Sequence, residues 1–239
     1  MTGLHFILML TERDVTIPDA IEVYETVTGT GLHYVAFKDV GADRGMLEDL
    51  TAAVNEDGLL TLLEIADVTE AGQDAGVDLA LQLGVDIIVG TWRPESAAVI
   101  ESVKQSAYFP FLGSLSGSPL QLQGSPADLA AQMSELAANA GVAGAVLMPY
   151  RQKEHSPDEL MPSVIRAADL PILIAGGVES SEQIMAIDRA GAWGFTMGAG
   201  ALKLRHEDAG SVRRKVLETL SLCQSLESAS PGYRTRVVY

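Results

Sequence analysis

The segment Pro171-Ile-Leu-Ile-Ala-Gly-Gly-Val-Glu-Ser-Ser-Glu182, followed by Ala190-Gly-Ala-Trp-Gly-Phe-Thr-Met-Gly-Ala-Gly-Ala-Leu202, decides how this chain folds. An unbroken apolar run ends in Gly176-Gly177. Ser180-Ser181-Glu182-Gln183 then opens a helix with a capping residue and an early acid. A second apolar run, 193–198, ends in Gly198-Ala199-Gly200. Apolar runs without alternation suit strands of a parallel sheet buried under helices. The segment therefore reads as strand, helix, strand, with glycines at both strand exits.

Six further runs of the same kind precede it: 4–10, 32–37, 59–65, 85–89, 109–113 and 142–148. Consecutive runs start 22 to 33 residues apart, which is the chain that a strand, two loops and a helix consume. Between them, 127–140 carries Leu129, Met133 and Leu136 on one helical stripe, with Pro126 suited to a first turn. Gly84, Gly141 and Gly191 each stand just before a strand, where a left-handed helix exit is expected. Eight alternations predict an α/β fold, a single-domain (β/α)8 TIM barrel over 1–227, with a tail over 228–239. An open doubly wound sheet with fewer strands is the alternative. The tail ends in Val237, Val238 and Tyr239, which reads either as a loosely ordered end or as an apolar segment that docks on this barrel or on a second subunit, so a homo-oligomer stays open.

Composition narrows the partners. The chain has 239 residues, 47% of them hydrophobic and 20% charged, enough for one domain with a large core. A net charge of −16 repels nucleic acid and anionic membranes, and neither is expected as a partner. No run is long enough to span a bilayer. The single cysteine, Cys223, cannot form an internal disulfide, and a cytoplasmic setting is expected. The four histidines, His5, His33, His155 and His206, make no zinc pattern.

The two glycine clusters lie 21 residues apart, at the ends of strands that are neighbours in a barrel. Glycine lets backbone N–H groups approach an anion closely, and a short helix starting near Ala199 would aim further N–H groups at the same point. The same glycines would also serve tight turns alone. Residues 170–203 resemble the standard phosphate-binding motif of the ribulose-phosphate-binding barrel superfamily. The resemblance implies that Gly176, Gly177, Gly198 and Ala199 hold a substrate phosphate. Gly200 departs from the motif and is expected to loosen the grip. Several superfamily patterns are absent, among them the strand 1 aspartate and the strand 3 Asp-x-Lys-x-x-Asp, so no named activity follows.

Catalytic groups of such barrels sit at strand ends. Lys38 and Glu64 end adjacent strands and form a candidate acid/base pair, or alternatively a buried salt bridge. The lysine could instead polarise a carbonyl or form a Schiff base. Thr11, Thr91, Arg93 and Arg151 are candidate substrate-binding residues. Asp14, Asp39 and Asp67 leave a magnesium ion open, although no cofactor is expected and no ligand spacing supports a metal. The glycine-rich loop 114–125 is a candidate cover. The reading is an enzyme acting on a phosphorylated sugar or sugar acid, a lyase or an isomerase. A flavin (FMN)-dependent oxidoreductase and a non-catalytic phosphate-ligand barrel are the alternatives.

Overall fold

The computed structural model describes residues 3–117, 119–167, 169–208 and 210–229. Eight parallel strands close into a barrel. They are β1 (His5–Met9), β2 (Tyr34–Lys38), β3 (Leu60–Glu64), β4 (Ile87–Thr91), β5 (Ala107–Phe111), β6 (Ala145–Leu147), β7 (Ile172–Ile174) and β8 (Gly194–Met197). Each strand pairs with its chain neighbours, and β1 closes the ring by pairing with β2 and β8. All eight runs read from the sequence are strands of the barrel. Two are displaced, with β4 two residues later than its run and β5 two residues earlier. Val85 and Leu112 lie beyond those strands and are still buried, because hydrophobicity records burial and not ladder bonding.

Outside the ring lie α1 (Ala20–Val27), α2 (Arg44–Glu56), α3 (Glu70–Leu83), α4 (Pro94–Val103), α5 (Pro126–Ala137), α6 (Pro157–Ile165), α7 (Ser181–Ala190), α8 (Ala199–Leu202) and α9 (Ser211–Ala229). Local chemistry sets their ends. Asp43, Thr69, Ser125, Ser156 and Ser180 each accept a backbone N–H in the first turn. Ser125 with Asp128 and Ser180 with Gln183 form full capping boxes. The last helix continues to Ala229, past the expected boundary at 227, and tail residues 230–239 lie outside the described residues.

At the amino-terminal end of the barrel, Trp193 packs against His5, Tyr34 and Phe109 at ring-centroid distances of 4.8, 5.5 and 5.6 Å. These rings fill that end, and the polar strand termini gather at the opposite one.

Gly84 and Gly191 take left-handed φ angles of 73° and 85° at their helix exits, as their positions suggest. Gly141 does not; α5 is capped by Ala138, in the right-handed region. Gly141 is needed for closeness instead, since a Cβ there would lie 2.8 Å from the Ala97 carbonyl oxygen of α4. Gly141→Ala should therefore destabilise the fold by about 1–3 kcal/mol through overpacking. Gly141→Asn should be no better tolerated, whereas at a left-handed exit asparagine would fit. Urea midpoints of the two variants check this.

Candidate functional site

Pairing between β2 and β3 is in register from Tyr34↔Leu60 to Lys38↔Glu64. The last pair of that ladder is therefore the ionisable one. Lys38 and Glu64 sit where the apolar wall of the barrel ends, with side chains only 5% and 11% exposed, and Lys38 Nζ is 2.9 Å from Glu64 Oε1.

A third charged group arrives from a feature the sequence did not announce. After β1 the chain makes a small antiparallel hairpin, Thr11–Glu12 with Val15–Thr16. Its two turn residues, Arg13 and Asp14, both hold left-handed φ angles of 52° and 64°. Consecutive positive φ angles make the tightest hairpin turn, one that usually takes Asn-Gly. The fully buried Thr16 fastens the hairpin to β2, donating its hydroxyl to the Lys38 carbonyl and accepting from the Lys38 N–H, both at 2.8 Å. Asp14 Oδ1 is thereby held 3.6 Å from Lys38 Nζ and 3.6 Å from Arg151 Nη2.

These groups line one cavity of about 460 Å³ at the carboxyl ends of the strands, a size suited to a small ligand. Its wall includes Thr11, Lys38, Glu64, Arg151, Gly176, Gly177, Gly198 and Ala199, eight of the ten catalytic, phosphate-binding and substrate-binding candidates. Among the described residues, the N–H groups of Gly177, Gly198 and Ala199 find no acceptor within the chain. Gly176 and Gly177 take φ angles of 75° and 83°, and a Cβ on Gly176 would lie 2.9 Å from Arg151 Cγ. Arg151 therefore lies directly over the strand 7 loop. Helix α8 begins at Ala199, where the pattern placed it. At Gly200 a Cβ would meet Glu179 Cα at 2.9 Å, so the bare backbone there lets the two glycine loops touch.

Thr91 and Arg93 are not part of this wall. Thr91 accepts the Tyr108 hydroxyl through its carbonyl and donates its N–H to the buried Gln73. Arg93 caps α4 and bonds the Glu70 carbonyl and Asp74 at 2.7 Å each. Arg93 thus ties the start of α4 to α3, and Thr91 is held there through its backbone groups. The loop 114–125 forms a hairpin, Ser114–Ser116 with Gln121–Gln123, and Pro119 and Leu120 beyond its first strand reach the cavity. Asp39 and Asp67 spend a carboxylate oxygen on the N–H groups of Ala66 and Thr69. Among the described residues, no three His, Cys, Asp or Glu side chains are grouped to hold a metal ion.

Electrostatics differ sharply between cavity and surface. The chain has 16 basic and 32 acidic residues, yet the cavity sets Arg13, Lys38 and Arg151 against Asp14, Glu64 and Glu179. Burial works against the Lys38 ammonium, but the charges of Glu64 and Asp14 outweigh it and raise its pKa above the ordinary lysine value. Lys38 is thus a fixed cation at neutral pH.

No protein family model matches the sequence, and no curated protein matches it. Solved structures do match in shape. Tryptophan synthase from Mycobacterium tuberculosis superposes with a TM-score of 0.66 at 16% identity, covering 93% of this chain and 94% of that one. The native KDPGal structure gives 0.67 at 14% identity, covering 95% and 98%. FabK from Thermotoga maritima gives 0.59 at 16% identity, covering 84% of this chain and 63% of that one. The likeness shows the fold, a closed single-domain barrel. Among the described residues no helix is long and apolar enough to cross a membrane.

A lysine whose pKa is raised by folding adds stability that is complete below its unfolded value of about 10.4 and is lost as pH rises through the folded value. The stability difference between the wild type and Lys38→Met should hold through neutral pH and shrink only above that value. Denaturant titrations from pH 7 to 11 check the direction.

Proposed function

We propose that this protein is an enzyme that grips a phosphorylated sugar or sugar acid by its phosphate and acts on the adjoining carbons as a lyase or isomerase. One observation carries the reading. The residues with unpaired amides at the β7 and β8 exits and the Lys38–Glu64 pair line the same cavity from different parts of the ring.

The phosphate would sit on the N–H groups of Gly177, Gly198 and Ala199, with Arg151 above it. Binding energy from this remote group would hold the reacting carbons against the opposite wall. A lysine ammonium has three donors. Glu64 engages one and Asp14 lies near another, which leaves one for a substrate carbonyl oxygen. Negative charge that develops there as the carbonyl becomes an enediolate would meet a cation already in place, with no reorganisation at the moment of reaction. Glu64, in contact with that cation, would take and return the proton at the neighbouring carbon or hydroxyl. A Schiff base would require Lys38 to give up its proton first, and the two carboxylates oppose that loss. The polarising role is favoured over the covalent one.

Calorimetric titration with inorganic phosphate, ribulose 5-phosphate and other sugar phosphates tests the grip. Binding of at least one is expected, and failure of all would remove the basis of the reading. With a turned-over substrate in hand, Glu64→Gln should lower kcat about 10²–10⁴-fold with little change in KM. Borohydride reduction during turnover should leave Lys38 unmodified by mass spectrometry, which separates carbonyl polarisation from imine formation. A colourless purified protein would set aside a flavin.

A further inference from the structure

Asp14 is placed unlike the other carboxylate of the pair. Glu64 is nearly buried and in hydrogen-bond contact with Lys38 at 2.9 Å. Asp14 is about one-third exposed, and its contacts to Lys38 and Arg151, 3.6 Å each, are longer than hydrogen bonds. It stands between two cations that are no more than twice 3.6 Å apart. Arg151 keeps donors to spare: its other polar contact is a long one, 3.5 Å, to the Leu120 carbonyl. The residue that carries this loose carboxylate sits on a two-residue turn with both φ angles positive and no glycine, a conformation that stores strain. A permanent structural ion pair would need neither the strain nor the long contacts.

We infer that Asp14 is a resident stand-in for a carboxylate of the ligand, so the substrate is a phosphorylated sugar acid whose carboxylate binds between Lys38 and Arg151 and displaces Asp14. The inference rests on the phosphate grip proposed above and narrows its substrate class. Charge argues for exchange over addition. The cavity already balances three cations against three anions, and a ligand with phosphate and carboxylate adds at least two more negative charges. Expelling Asp14 towards solvent removes one of them. The planar guanidinium of Arg151 can then close on the incoming carboxylate with paired hydrogen bonds, which the strained turn denies to Asp14.

The test compares 3-phosphoglycerate with glycerol 3-phosphate, which differ in a carboxylate against a hydroxymethyl group on the same short chain. In the wild type, calorimetry should give 3-phosphoglycerate about tenfold tighter binding. Asp14→Asn empties the subsite of its competitor and should widen that ratio about tenfold further, because the apparent affinity no longer carries the cost of displacing it. Equal tightening of both ligands would mean that phosphate itself takes the Asp14 position, and it would overturn the inference. So would a wild type that does not distinguish the two ligands, a result that stands even if the variant fails to fold. If glycerol 3-phosphate and inorganic phosphate both fail to bind, the phosphate grip itself is at fault; if they bind and the carboxylate brings no advantage, only the sugar-acid inference fails.

Discussion

Closure of the ring between β1 and β8 is the constraint on which the rest of this structure depends. A parallel barrel holds together only if its first and last strands pair, and here they do so from His5↔Gly194 to Leu8↔Met197. Gly194 allows this approach, since a Cβ there would lie 2.9 Å from the His5 carbonyl oxygen. Once the ring is closed in one direction, every strand delivers its carboxyl end to the same rim. Groups separated by more than a hundred residues, such as Lys38 and Gly198, then share one cavity wall without any direct bond between them.

That rim differs in charge from the chain as a whole. A protein of net charge −16 is a poor host for an anion in bulk terms. Under the proposed phosphate grip the cavity would offset this by local means: backbone amides without internal acceptors, arginine on the rim, and a lysine whose charge is secured by its own carboxylate partners. Securing Lys38 in this way has a chemical consequence. The pairing that keeps it cationic suits it to stabilise negative charge and makes it a weaker nucleophile.

Strain is concentrated at the same place. Arg13 and Asp14 occupy left-handed backbone conformations that cost free energy for residues with side chains. Thr16, tied to both backbone polar groups of Lys38, pulls the turn over the mouth of the barrel.

The sequence by itself determined the eight strands, their parallel order, the cap at Ser180, the left-handed exits at Gly84 and Gly191, and the helix that begins at Ala199. These follow from apolar runs, cap residues and glycines that act over a few neighbouring positions. It also pointed to Lys38 and Glu64, because a charge that ends an apolar run stands out. Only the tertiary structure decided that Arg93 is bonded to α3, that Gly141 is there for closeness to Ala97, and that Gly200 lets the two glycine loops touch. It alone brought Asp14 between Lys38 and Arg151. Each of these depends on which way a side chain leaves its strand or turn and on what a distant segment places beside it. Local pattern carries no record of that, since the same residue types would read alike on either face of the barrel.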